Sequence, residues 1–165
     1  MSEIHVPVKY VPMSLNVRDR KNQIKMLKKS RRLYKQNKFY TRKALPSYKN
    51  KVSEHIIRAR KTYKIDNVLP NRKLSLATGC SVSALKKIVN KGAGAYFSSG
   101  SRPNQTAQSW GIARLASAVT GGKSAAVDYN ILESGCKHNS RALKLARQSR
   151  KRYGFGHGHR KRVVV

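Results

Sequence analysis

Acidic side chains are nearly absent from this chain. Of 165 residues, six are Asp or Glu and 37 are Lys or Arg, a formal charge of +31. So few carboxylates leave no pair for general acid–base work, and no Ser-His-Asp set can be assembled around them. Cysteine is as scarce. Cys80 and Cys136 stand alone, too few for a disulfide framework. They are expected as two free, buried, apolar thiols in a reducing compartment; whether they meet in a bridge is a contact that sequence does not reveal. The five histidines, His5, His55, His138, His157 and His159, show no metal-ligand spacing, and Cys136 with His138 makes half a site at most. "GFGHGH" reads as a glycine-punctuated tail. No apolar run approaches the roughly 18 residues that span a bilayer, and "MSEIHVPVKYVP" lacks a secretory h-region. These absences predict a soluble or peripherally bound intracellular protein that is not an enzyme and uses no cofactor, metal or small-molecule substrate.

What the chain does have is positive charge, unevenly spread. Residues 17–73 hold twenty Lys and Arg and three acids, residues 74–136 hold six and two, and residues 137–165 hold ten and none. A free monomer of this charge repels itself and calls for a polyanionic partner. The charge pattern predicts four segments: an extended N-terminal arm over 1–16, a basic helical segment over 17–73, a compact helical core module over 74–136, and a basic C-terminal helix and tail over 137–165. The fold class expected is mainly α: a small compact helical domain with a Gly/Ser-rich loop, flanked by extended basic arms.

Pro7 and Pro12 discourage helix in the first segment. A helix is predicted after Asn16, with Asp19 in a weak capping box. Its cationic side carries Lys28, Lys29, Arg31 and Arg32. Pro46 interrupts the irregular stretch that contains Arg42, which together with those four is expected to bind an anion or a partner. Ser53 is expected to cap "EHIIRARKTY". In "NRKLSLATGCSVSALKKIVNKG", Gly79 reads as a C-cap and Ser81 as the next N-cap, with Gly92 closing the second helix. Two helices about Gly79 resemble a helix-turn-helix. Packing alone and groove reading both remain open. The outward residues Ser83, Lys86, Lys87 and Asn90 suit phosphate, and there is no Arg, Asn or Gln array for base edges.

The charge pauses at "KGAGAYFSSGSRPNQTAQSWGIAR", because a packed module has few places for unpaired cations. Gly94, Tyr96, Phe97, Gly100, Pro103 and Trp110 are expected to build a structural loop that leads into a helix capped near Ser101 or Asn104. Arg102, beside that helix start, and Arg114, one turn after Trp110, either grip an anion or hold the loop; Asp128 is a partner within Arg114's range. Gly121-Gly122 ends the helix, and Ser124 is expected to cap "AAVDYNILESG". "TGGKSA" is not a P-loop: the required earlier glycine is Ser117, and a helix rather than a strand precedes it. At the C-terminus Arg150, Lys151, Arg152, Arg160, Lys161 and Arg162 mix with Tyr153 and Phe155, a composition suited to phosphate contact with stacking on bases, or to wrapping over acidic protein. The tail has too little apolar bulk for stable binding at a membrane surface by itself.

"YVP", "KSRRLYK", "TGCSVSALKKIV" and "KGAGAYFSSGSRPNQTAQSWGIARLASAVTGGKSAAVDYNILESGC" resemble an uncharacterised basic domain of large DNA viruses of algae and amoebae. The resemblance covers residues 8 to 148 and is most specific from Lys91 to Cys136. It implies a viral origin and a virion component, and it carries over no active site. The expectation is therefore a structural virion protein, a minor capsid or internal cement protein, present in the virion and in the host cytoplasm during assembly. Its partners would be other capsid proteins, nucleic acid or an inner-membrane surface. The alternative is a sequence-nonspecific DNA-binding protein that neutralises packaged genome.

Overall fold

Short polar side chains set where the helices begin. Asn16 Oδ1 accepts from the Asp19 N–H at 2.8 Å, Asn71 Oδ1 from Leu74 N–H at 3.0 Å, Ser81 Oγ from Ala84 N–H at 3.1 Å and Ser140 Oγ from Leu143 N–H at 3.2 Å. Each satisfies an amide that the first helical turn leaves without a partner. The computed structural model describes residues 3–156 and 161–165, and is mainly α. In chain order it contains β1 (His5–Pro7), a 3-10 turn (Val8–Tyr10), α1 (Val17–Tyr34), α2 (Glu54–Tyr63), α3 (Arg72–Thr78), α4 (Val82–Ser98), α5 (Ala107–Val119), α6 (Lys123–Val127), α7 (Tyr129–Gly135), α8 (Arg141–Tyr153) and β2 (Arg162–Val164).

Contacts divide the chain along other lines than charge does. One unit comprises 3–51, 93–110 and 161–165 of the described residues; the other comprises 52–92 and 111–156. In the first unit, β1 pairs antiparallel with β2, His5 opposite Val164 and Pro7 opposite Arg162. The extended termini thus close on each other. Behind them Val6, Tyr10, Val11 and Leu27 form a small core, with Trp110 packed against it and edge-on to Tyr10 at 5.9 Å. The second unit holds the larger core, drawn from α2 to α8 and centred on Leu74, Leu85, Ile88, Leu115, Leu132 and Leu143. Its Tyr63 is buried with the hydroxyl donating to the Val119 carbonyl, and burial pushes its pKa up to about 12.

Several local expectations need correction. Gly92 does not close a helix. Helix α4 runs on to Ser98, so Gly94, Tyr96 and Phe97 are helical and the loop begins only at Ser99. The reason is a close crossing: a Cβ on Gly92 would lie 2.6 Å from the Gly111 Cα, and one on Gly111 would lie 2.5 Å from the Val89 carbonyl oxygen. Close contact of two backbones outweighs the roughly 1 kcal/mol that glycine costs a helix. Gly100 (φ +124°) and Pro103 do lie in the loop and are buried, and Trp110 is on α5. Neither Ser101 nor Asn104 caps α5. Thr106 does, exchanging bonds with Ser109: Thr106 Oγ1 accepts from Ser109 N–H and Ser109 Oγ from Thr106 N–H. Asn104 instead ties down residues 45–50, accepting from Leu45 N–H and donating to the carbonyls of Leu45 and Tyr48. Gly122, not Ser124, precedes α6, and the expected single helix breaks at Asp128 into α6 and α7. Ser53 precedes α2 without a side-chain cap bond. Cys80 and Cys136 are not free thiols but a disulfide.

Candidate nucleic-acid interface

The second unit presents the helix pair that the sequence suggested. Helix α3 ends at Gly79 in the left-handed region (φ +79°), a conformation that a side chain disfavours. The turn is then fastened twice by backbone bonds, Ser81 N–H to Gly135 carbonyl and Lys137 N–H to Gly79 carbonyl, both at 2.8 Å. The Cys80–Cys136 disulfide lies between these two bonds. The physical reason the cysteines meet is this pairing of the α3–α4 turn with the chain leaving α7, a contact 56 residues apart in sequence. It also removes Cys136 as a partner for His138 in a metal site; His138 instead bonds Arg147. Among the described residues no group of three or more His, Cys, Asp or Glu is placed to hold a metal ion; His157 and His159 lie outside them.

On α4 the two periodic faces separate cleanly. Ala84, Leu85, Ile88 and Val89 are buried, while Ser83, Lys86, Lys87 and Asn90 are exposed on the opposite side. The spacing of three, four and seven residues puts the exposed set in one row. Beside it Ser81, Ser83, Lys87, Asn130, Ser134 and Gly135 line an open depression of about 330 Å³. Arg72 and Lys73 on α3, and Arg58, Arg60 and Lys61 on α2, are exposed too. The row can donate hydrogen bonds and charge to phosphate oxygens. One asparagine is too little for an array of base-edge contacts.

The other expected anion-binding residues fare unequally. In the first unit Lys29, Arg32, Arg102, Lys161 and Arg162 are exposed, and Lys28 and Arg31 half-buried. Arg102 stands in the loop before α5, whose Ser109 amide Thr106 caps. Arg42 is a correction: it is 6% exposed and faces inward. Its guanidinium donates to Ser30 Oγ (2.8 Å), the Tyr96 carbonyl (2.9 Å) and Ser101 Oγ (2.8 Å), and lies 3.8 Å from the Tyr96 ring centroid. Burial holds its pKa below the ordinary arginine value. Asp19, in the same unit, accepts from Ser47 and is held below the usual carboxylate range by those bonds.

In the second unit Arg114 is likewise turned inward. It grips the buried Asp128 through Nε and Nη2, both at 2.8 Å, and Lys91 adds a bond at 3.2 Å. Of the two readings for Arg114, holding the fold is the one observed. Lys151 and Arg152 are exposed on α8; Arg150 is half-buried between Tyr129 and the exposed Phe155, with centroid distances of 5.0 and 4.3 Å. Arg160 lies outside the described residues. The sequence did not single out Phe39, which is 69% exposed; an aromatic in a run free of acids was the available signal.

A model of a protein family described as "Family of unknown function (DUF5824)" matches residues 7–141. The chain belongs to DUF5824. No curated protein and no solved structure matches it significantly. The DUF5824 region contains α3, the turn, α4 and both cysteines, whereas Arg150, Lys151, Arg152, Lys161 and Arg162 fall beyond it.

Proposed function

We propose that this DUF5824 protein binds nucleic acid without sequence preference, laying the exposed row of α4 against the phosphate backbone. The observation that carries this is the row itself: Ser83, Lys86, Lys87 and Asn90 on one face, backed by a buried apolar face and a turn held by two backbone bonds and a disulfide. Rigid placement of cations lowers the ordering cost of gripping phosphate. Of the six acids, Asp19 and Asp128 are buried and hydrogen-bonded, so little negative charge competes for the cations. The resemblance to a basic domain of large DNA viruses supports a virion setting, in which the protein neutralises packaged genome after assembly in the host cytoplasm.

A second reading, a minor capsid or cement protein bound to acidic neighbours, has its own support. Ile57, Leu69 and Leu76 in the second unit are 52%, 42% and 75% exposed. Apolar side chains set among Arg58, Arg60, Arg72 and Lys73 suit a protein surface better than a phosphate backbone.

Titration of labelled duplex DNA of arbitrary sequence tests the first reading. With six to ten phosphates contacted, affinity falls about a thousandfold or more between roughly 50 and 200 mM salt. The double variant K86E/K87E is expected to bind at least ~10-fold more weakly and with a shallower salt dependence, by about one unit of slope per lost contact. Absence of binding at the lowest salt, or a double variant that binds as tightly as the parent, rules the reading out in favour of the capsid one.

A further inference from the structure

Helix α1 ends in a tight turn. Asn37 takes a left-handed conformation (φ +57°), and the amides of Asn37 and Lys38 return to the carbonyls of Tyr34 and Leu33. This turn leaves Phe39 at 69% exposure and Tyr34 at 37%. The two rings are 6.2 Å apart, Phe39 is 5.1 Å from Phe97, and Phe97 is 5.0 Å from Tyr96. The result is a row of four rings within the first unit. Its inner end is fixed: Tyr96 is fully buried, its hydroxyl accepts from the Arg42 N–H, and the Arg42 guanidinium covers its face. Its two outer rings, Phe39 and the terminal Tyr34, are exposed.

The surroundings are cationic. No Asp or Glu occurs between Asp19 and Glu54, while Arg32, Lys35, Lys38 and Lys43 are exposed, and Lys29 Nζ sits 4.3 Å from the Tyr40 ring centroid. An aromatic row with exposed outer rings, in a stretch of sequence rich in lysine and arginine and without a carboxylate, is the pairing of features that takes up unpaired bases together with their phosphates. A duplex keeps its bases stacked inside and offers Phe39 only a backbone. An acidic protein segment would match the charge, but only such aromatic side chains as it carried would offer the exposed ring a flat π-face, whereas every base does.

We propose that Phe39 and Tyr34 form a stacking platform for single-stranded nucleic acid, separate from the α4 row and independent of whether that row binds duplex. Fluorescence anisotropy of the full chain, disulfide intact, with a labelled oligothymidylate and separately with a duplex of arbitrary sequence, tests it. Stacking on one base is worth about 1–3 kcal/mol by alanine substitution, so Phe39→Ala is expected to weaken oligothymidylate binding about tenfold or more while leaving duplex affinity within roughly twofold. Phe39→Leu, which keeps an apolar contact to Phe97 without a ring, is expected to lose as much. Phe39→Trp is expected to retain affinity and show indole emission quenched by the oligonucleotide. Unchanged oligothymidylate affinity in Phe39→Ala, or an equal loss on both nucleic acids, overturns the proposal. Should Phe39→Ala fail to fold, the Trp variant still decides: emission unaltered at saturating oligothymidylate sinks the platform.

Discussion

A buried cation normally needs a carboxylate beside it, and Arg42 has none in the contacts that hold it. Two hydroxyls, one carbonyl and the Tyr96 ring face do the work instead. The guanidinium suits this because it is planar, weakly hydrated and charged even when burial lowers its pKa. Lysine has neither the fork nor the flat face. Arg42→Lys is therefore expected to leave at least one of those oxygens unpaired and to cost about 2–4 kcal/mol, read as a lower urea midpoint with an unchanged slope. A loss under about 1 kcal/mol would show that the guanidinium geometry is not what matters there. Nothing in the local sequence marks Arg42 as internal, since it stands in an irregular cationic stretch and its ring partner is 54 residues away. Arg114 was more legible. Asp128 was within its reach on the sequence, and the buried carboxylate took it.

At the level of helices, starts were easier to read than ends. Asn16 and Ser81 cap through local bonds three residues long, so a short window of sequence contains the whole cause. The end of α4 was misread because its cause is not local. Gly92 looks like a terminator by composition, yet it serves a crossing with Gly111. Two substitutions of the same kind should consequently act in opposite directions. Gly111→Ala places a Cβ 2.5 Å from a backbone oxygen that cannot swing away. It is expected to destabilise by about 1–3 kcal/mol, the usual range for overpacking. Gly94→Ala meets nothing within 4 Å and is expected to stabilise by up to about 1 kcal/mol through helix propensity. Thermal melts of both variants check the pair. A Gly111→Ala protein as stable as the parent would mean that the helices part there at little cost.

On the scale of the whole chain, charge did not predict the division into units. The near-neutral stretch 74–136 contributes to both units, because 93–110 belongs with the N-terminal residues and the rest with 52–73 and the residues up to 156. The exposed cations belong to neither core, so their distribution follows solvent, while the units follow long-range contacts such as Cys80 to Cys136 that no local pattern announces. What the total charge of +31 does dictate is self-repulsion, since only six carboxylates offset 37 cations. At low ionic strength those cations act on one another over long distances; at about 0.1 M salt the screening length is near 10 Å. Raising salt should therefore stabilise the folded chain while it weakens the proposed duplex binding. Between about 20 and 500 mM sodium chloride the expected gain is on the order of 1 kcal/mol, a rise in Tm of about 2–4 °C for a chain of this length. Melting the free protein and its DNA complex across that series separates the two effects. The free protein's Tm should climb, and the extra stability that DNA confers should shrink as binding is lost. A free-protein Tm that stays flat or falls would mean that the cations are already spaced so as not to interact. The low-salt self-repulsion that a bound polyanion would relieve would then be absent.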